Sequence, residues 1–227
     1  MNSKALGKLS CSVLIMFAGL TVAALLVSCD SDSSSDSSGA PTNSAQYVMT
    51  FNATWSAATN PRDDFPSDPH FSGLIGATVN PGVSFWGNGD LASTGIKNMA
   101  ERGSKDPLRA EIQNLINAGL ACELISGGGT DSPGSVSVTF TVTPECPEVS
   151  IVSMVAPSPD WFVGVSNVRL ADGKNWVASR VIELYPYDAG TDSGTTFEAP
   201  NQPTTPPVLI KKIDGFGKVG TFTFTRL

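Results

Sequence analysis

The chain has 227 residues, a formal net charge of −7 and only 15% charged residues. Its 22 Gly and 16 Pro residues favour a loop-rich β protein over a helical one. Residues 1–44 carry two lysines and three aspartates, so the remaining chain keeps a net charge of −6. An acidic domain without a basic stripe excludes nucleic acid as an expected partner, because such binding depends on cations that neutralise phosphates.

The N-terminus has the pattern of an export signal. Lys4 and Lys8 precede an apolar run over residues 13–27, which is shorter than the roughly 20 residues that a membrane-spanning helix needs. The run ends in Leu-Val-Ser-Cys, which resembles the lipobox of bacterial lipoproteins. We therefore expect a signal peptide over residues 1–28 and a diacylglyceryl group on Cys29. The alternative is a retained anchor helix, and both interpretations place the domain outside the cytoplasm.

A polar linker is predicted between the lipid and the domain. Residues 29–44 are mostly Ser, Asp, Gly and other small or polar residues. Such a segment cannot bury enough apolar area to offset its ordering entropy, so we predict a tether followed by one domain over residues 45–227. Asp30 resembles the residue that retains lipoproteins in the inner membrane of enteric bacteria. Other lineages do not follow that rule, so inner and outer membrane both stay open.

Two cysteines are left for the domain, Cys122 and Cys146, because Cys11 lies in the signal and Cys29 is the expected lipidation site. In an oxidising compartment two cysteines favour a disulfide. The alternative is two separate buried thiols, since a disulfide requires Cα atoms within about 7 Å of each other.

Several segments have the pattern of β-strands. Residues 47–55 and 136–143 alternate apolar and polar side chains, which is typical of half-buried antiparallel strands. Further strands are predicted at 149–155, 176–185 and 219–225, separated by Gly and Pro clusters. The sequence therefore predicts a mainly β protein, an antiparallel β-sandwich.

Two helices are predicted among these strands. For one, Asp106 is the expected N-cap, Pro107 fits the first turn and Gly119 ends the helix. Its apolar stripe consists of Leu108, Ile112, Leu115 and Ile116. A shorter helix is predicted over residues 93–102, with Gly103 as its stop. The sandwich is therefore expected to carry one or two inserted helices.

Two segments rich in Pro, Gly and Asp carry the candidate metal ligands. Residues 156–164 contain Asp160, and residues 185–194 contain Asp188 and Asp192. If these loops meet, the carboxylates repel each other, by roughly 4 kcal/mol per pair at about 4 Å and an effective dielectric of about 20. Clustered carboxylates without His or Cys favour Ca²⁺, which accepts loop carbonyls and waters as further ligands. The alternative is that each aspartate only caps its own turn.

Several stretches resemble the spondin domain in the order in which that family has them. They are 70–76 (HFSGLIG), 86–101, 156–165 (APSPDWFVGV), 187–194 (YDAGTDSG) and 197–206 (FEAPNQPTTP). The likeness extends over about residues 47–213 and so covers nearly the whole predicted domain.

The resemblance implies an extracellular sandwich similar to the calcium- and lipid-binding domain of protein kinase C, with a Ca²⁺ site. It assigns the metal ligands to Asp160 in Ser-Pro-Asp-Trp and to Asp188 and Asp192 in Asp-Ala-Gly-Thr-Asp. Animal relatives join the domain to reelin-like and thrombospondin-type modules. This sequence has no counterpart of those modules, so matrix attachment is not expected to carry over. Cys122 and Cys146 depart together from the bacterial pattern, which favours their pairing.

The expected function is non-catalytic adhesion or recognition by a lipid-anchored, calcium-binding module. The lipid would contact the membrane, and an extracellular or periplasmic protein or glycan is the expected partner. Trp161, beside Asp160 on its loop, is the predicted contact residue. One alternative is a purely structural calcium site with a binding face elsewhere, and another is a metal-dependent hydrolase. An enzyme is least supported, because His70 is the single histidine and a Gly-x-Ser-x-Gly elbow is absent.

Overall fold

The structure, a computed structural model, describes residues 39–59 and 63–227. The expected signal peptide and Cys29, the expected lipidation site, lie outside these residues. Across the two described ranges, no helix has both the length and the apolar character needed to cross a membrane.

The described chain consists mainly of antiparallel strands, with two helices between the third and fourth of them. The helices are α1 (Thr94–Arg102) and α2 (Leu108–Asn117). The strands are β1 (Ala45–Ala53), β2 (His70–Phe71), β3 (Ile75–Val79), β4 (Ala121–Ser126), β5 (Thr130–Asp131), β6 (Gly134–Val142), β7 (Glu148–Ala156), β8 (Trp161–Arg169), β9 (Ala171–Asp172), β10 (Asn175–Trp176), β11 (Ser179–Leu184), β12 (Tyr187–Asp188), β13 (Lys211–Lys212) and β14 (Gly220–Arg226).

Two antiparallel sheets face each other. The smaller sheet has the strand order β11-β14-β1-β6. The larger sheet has the order β13-β12-β8-β7, and β7 then pairs with both β2 and β3. β5 continues the sheet beyond β2, and β4 continues it beyond β3. The predicted antiparallel sandwich with two helices is confirmed.

The core between the sheets follows from the alternation along β1. Tyr47, Met49 and Phe51 point inward and are fully buried, and their neighbours in the strand are more exposed. Facing them, Val149 and Ile151 of β7 belong to the same core. A strand with one buried face thus has the period of two that its sequence predicts.

The central strand β7 is buried on both faces, because the helices cover the outer side of the larger sheet. Val149, Ile151 and Val155 contribute to the core between the sheets. Val152 and Met154 contribute to a second core that includes apolar side chains of α1 and α2. The domain therefore has three layers: the smaller sheet, the larger sheet and the helices.

Helix α1 begins and ends as its sequence predicts. Ser93 is the N-cap, and its Oγ accepts a hydrogen bond from Ile96 N. Gly103 has φ 63° and ends the helix in the left-handed region. Glu111 of α2 also contacts this end, since its carboxylate accepts hydrogen bonds from Ser93 Oγ (2.6 Å) and Gly95 N (2.7 Å).

Helix α2 corrects one prediction. Its N-cap is Pro107, which has no side-chain cap, and Asp106 does not cap the helix. The Asp106 carboxylate lies instead 3.5 Å from Arg109 Nε, because the helix begins at Leu108, one residue too late for Asp106 to reach its first amides.

Of the strands longer than two residues, the sequence does not predict β3, β4 and β8. The sequence pattern places residues 161–164 in a loop, although β8 runs through them. β8 is buried over its first three residues and so lacks a clear alternation at its start. The predicted strand 176–185 is divided into β10 and β11, because the chain leaves the β9–β10 hairpin before it joins the smaller sheet.

The two ends of the sandwich differ in what they carry. β1 runs from one end to the other over about 27 Å. At its first end the chain enters the domain, where Asn43 O accepts a hydrogen bond from Trp176 Nε1 (2.8 Å) and Pro41 is buried. At its second end Trp55 and Trp161 pack against the same ring, that of Phe197. The start of β8 therefore lies at the end opposite to the point of chain entry.

Cys122 and Cys146 form a disulfide with a Cα–Cα distance of 6.1 Å. The bond joins β4 to the segment before β7. Pro147, next to Cys146, accepts a hydrogen bond from Leu170 N beyond the end of β8. The disulfide thus lies toward the end at which the chain enters.

Candidate metal site

Pairing between β8 and β12 brings the two aspartate segments together. Asp188 lies directly opposite Trp161, the residue after Asp160. Ala189 N also donates a hydrogen bond to Asp160 O (3.1 Å). The loop over residues 189–194, which contains Asp192, therefore passes beside Asp160, and all three aspartates lie at one end of the larger sheet.

Asp160 is a fully buried carboxylate that is only half satisfied. Its Oδ2 accepts hydrogen bonds from Thr191 N (2.7 Å), Asp192 N (3.0 Å) and Thr191 Oγ1 (3.2 Å). Its Oδ1 is buried and has no hydrogen-bond partner among the described residues. Burial raises the pKa of Asp160 to about 6, and the nearby Asp188 carboxylate adds to this increase, while the hydrogen bonds from Thr191 and Asp192 oppose it.

Asp188 and Asp192 each accept a hydrogen bond from the backbone two residues further on. Gly190 N donates to Asp188 Oδ1 (2.8 Å), and Gly194 N donates to Asp192 Oδ1 (2.8 Å). Gln202 N donates to the second oxygen of Asp192 (2.8 Å). The two interpretations of the sequence are thus compatible, because these aspartates cap their own turns and also lie close to Asp160.

The aspartate loop is held by a second segment of chain. Val208 N donates to Gly190 O, and Thr204 N donates to Thr191 O, both at 2.9 Å. Gly190 has φ 74°, and a Cβ at this position would lie 2.2 Å from Val208 O. Only glycine allows this close pairing, so the loop that follows Asp188 and contains Asp192 is held by backbone hydrogen bonds.

Two open cavities flank the carboxylates. One, of about 280 Å³, is lined by Asp188, Asp192 and Lys211 among others. The other, of about 300 Å³, is lined by Asp188 and Lys211 as well, together with Asp214. Lys211 Nζ lies 3.9 Å from Asp188 Oδ2. The pairing of Lys211 with Asp188 was not foreseen from the sequence, because it arises only when β12 pairs with β13.

Trp161 corrects another prediction. It was expected to be exposed for partner contact, but only 3% of its surface is accessible. Its ring packs edge-on against Phe197 (5.1 Å) and Phe216 (5.9 Å). The residue belongs to β8 rather than to a loop, and its position in the alternation turns it toward the core.

His70, the single histidine of the sequence, contacts Asp68 of the preceding loop. It belongs to β2, and its Nδ1 lies 2.9 Å from Asp68 O and 3.6 Å from Asp68 Oδ2. The imidazole ring is therefore held by a residue two positions earlier in the chain.

The three aspartates differ in which of their oxygen atoms are available to a metal ion. Within residues 39–59 and 63–227, no group of three or more His, Cys, Asp or Glu side chains is arranged so that it could hold a metal ion as it stands. The buried Oδ1 of Asp160 nevertheless lacks a partner. Asp188 and Asp192 oxygens that accept one N–H retain a second lone pair each. Carboxylate oxygens are the kind of ligand that a hard cation such as Ca²⁺ prefers.

The chain matches the Spondin_N family over residues 45–217. Human (Homo sapiens) spondin-2 is 35% identical over 177 residues, which cover 74% of this chain and 52% of that protein. Spondin-1 of Gallus gallus is 33% identical over 198 residues, or 82% of this chain and 25% of that protein. The chain thus spans about half the length of spondin-2 and about a quarter of spondin-1. The matched region contains both aspartate loops, and the chain belongs to the Spondin_N family.

Proposed function

We propose that this chain is a non-catalytic recognition or adhesion module that works outside the cytoplasm and binds Ca²⁺ through Asp160, Asp188 and Asp192. The observation that carries the metal site is the buried Asp160 carboxylate with an unpartnered oxygen. Membership of the Spondin_N family and likeness to spondin-1 and spondin-2 support a role in recognition rather than in catalysis.

The energetic argument concerns the charge on Asp160. A buried carboxylate is costly unless it is paired or coordinates a metal. The charged groups nearest to Asp160 include a second carboxylate, that of Asp188, which increases the cost. A divalent cation between these carboxylates would turn repulsion into attraction. Ca²⁺ suits oxygen donors on loops, since its coordination shell is flexible and accepts carbonyls and waters.

We further propose that the chain is anchored through a lipid on Cys29. A chain attached by its N-terminus is held at the end of the domain where Asn43 and Trp176 lie. The aspartate loops lie at the other end, about 27 Å away along β1. This arrangement supports a module whose calcium end faces away from the anchoring membrane and meets a protein or glycan partner from outside.

The metal proposal is tested by calorimetric titration of Ca²⁺ into the full-length chain in detergent. We expect binding of one Ca²⁺, weakened at least tenfold by Asp160→Asn, Asp188→Asn and Asp192→Asn. Asp172→Asn is the matched control, because Asp172 is an exposed aspartate at the opposite end. Its affinity should stay within twofold of wild type. Absence of Ca²⁺ binding to the wild type at millimolar concentration would refute the site.

The recognition proposal is tested by probing protein and glycan arrays with the same chain in Ca²⁺ and in EGTA. If the calcium end binds the partner, EGTA and Asp160→Asn should both abolish the signal. If chelation lowers the melting temperature but leaves array binding intact, the calcium is purely structural and the binding face lies elsewhere.

A further inference from the structure

The ammonium group of Lys211 lies beside Asp188, one of the carboxylates that the proposed Ca²⁺ would bind. Lys211 lies directly opposite Asp188 in the pairing of β12 with β13, and its Nζ is 3.9 Å from Asp188 Oδ2. Directly opposite residues of an antiparallel pair share one face of the sheet, so the backbone sets this position. Lys211 also lines both cavities that flank the aspartates.

We propose that Lys211 is a built-in competitor of Ca²⁺. Without the metal it neutralises Asp188, and on metal binding it has to leave that carboxylate for the open cavity. This inference rests on the proposed calcium site. It assigns to Lys211 a role in setting the calcium affinity of the module, without making it a ligand.

The exposure of the pair makes the exchange feasible. Fully 67% of the Lys211 side chain is accessible, against 21% for that of Asp188. A partly exposed ion pair contributes little stability and is screened by salt, so a divalent cation can displace the lysine. The unpartnered oxygen of Asp160 is buried, so an exposed lysine such as Lys211 does not take the place of the metal there. Lys211 therefore relieves only part of the repulsion between Asp160 and Asp188.

The neighbouring lysine provides a matched control. Lys212 lies opposite Tyr187 in the same pairing, and consecutive residues of a strand point to opposite faces. Its Nζ lies 3.6 Å from the centre of the Tyr185 ring. Lys211→Met and Lys212→Met remove the same formal charge from adjacent positions that both line the cavity of about 300 Å³, and only the first of them removes the ion pair with Asp188.

The test is calorimetric titration of Ca²⁺ into the full-length chain in detergent at about 0.15 M salt. We expect Lys211→Met to raise the calcium affinity roughly three- to tenfold and Lys212→Met to change it less than twofold. At about 1 M salt, where the Debye length falls to about 3 Å, the effect of Lys211→Met should shrink. Without calcium, Lys211→Met should lower the melting temperature by about 1–3 °C, because Asp188 loses its counter-ion.

The outcomes separate this inference from the proposed function. If the wild type does not bind Ca²⁺, the metal site itself is refuted. If the wild type binds and Lys211→Met has unchanged or weaker affinity, Lys211 does not compete with the metal and the inference is overturned. An equal gain in both lysine variants would also overturn it, since the effect would then come from net charge alone.

Discussion

Asp160 carries its charge where water does not reach it. In calcium-free buffer at pH 7.5, we expect Asp160→Asn to stabilise the domain by about 1–3 kcal/mol. The pKa of about 6 indicates a cost of roughly that size for keeping the carboxylate charged. The amide oxygen can still accept the hydrogen bonds from Thr191 and Asp192. Urea denaturation measures the change in the free energy of unfolding, and a less stable variant would show that the buried charge does not destabilise the fold.

The same group predicts a pH dependence. The pKa of Asp160 is raised from 3.8 to about 6 in the folded state, so the protonated carboxyl is favoured by folding. Its contribution to stability is fully present below about pH 4 and is lost as the pH rises through 6. Calcium-free wild type should therefore lose stability relative to Asp160→Asn between these values. If Ca²⁺ binds as proposed, saturating Ca²⁺ should cancel this loss, because a metal ligand has to be ionised. Urea denaturation at a series of pH values measures the difference in the free energy of unfolding between wild type and Asp160→Asn. This difference would not change between about pH 4 and 6 if the pKa of Asp160 were not raised.

At the level of elements, the start of α1 depends on a residue of α2. The first turn of α1 has no acidic residue, and Glu111 supplies a carboxylate from outside the helix. Gly95 leaves room for it, since a Cβ there would lie 2.4 Å from Glu111 Oε2. A carboxylate at this end also interacts favourably with the helix dipole.

We therefore expect Glu111→Gln to lower the free energy of unfolding by about 1 kcal/mol, measured by urea denaturation. Glu145→Gln, the same change at an exposed loop position, should have little effect. Equal effects of the two substitutions would contradict a capping role for Glu111.

On the scale of the whole molecule, the disulfide and the proposed metal site lie toward opposite ends of the domain. The disulfide closes a loop of 24 residues near the end at which the chain enters. Replacing Cys122 and Cys146 with alanine should lower the free energy of unfolding by about 2–4 kcal/mol, because the unfolded chain gains freedom. Thermal unfolding measures this loss. Calcium affinity should stay within twofold, and a larger change would indicate that the two ends are coupled.

Much of this protein is determined by local sequence. The alternation in β1 and β6 depends only on which side chains face the core, and the caps of α1 depend on the chemistry of Ser93 and Gly103. The sandwich with helices, the family and the candidate aspartates all follow from such patterns. β8 was missed because its start is buried on both faces and has no alternation to read.

Only the tertiary structure decided how these parts meet. Trp161 turns inward because β8 begins there, and Lys211 reaches Asp188 because β13 pairs with β12. Oδ1 of Asp160 is likewise left buried and without a partner only because the loop that contains Thr191 packs against Oδ2. Sequence patterns report which face of an element is apolar, whereas strand pairing joins residues that are distant in the chain. The chemistry of the aspartate loops depends on that pairing.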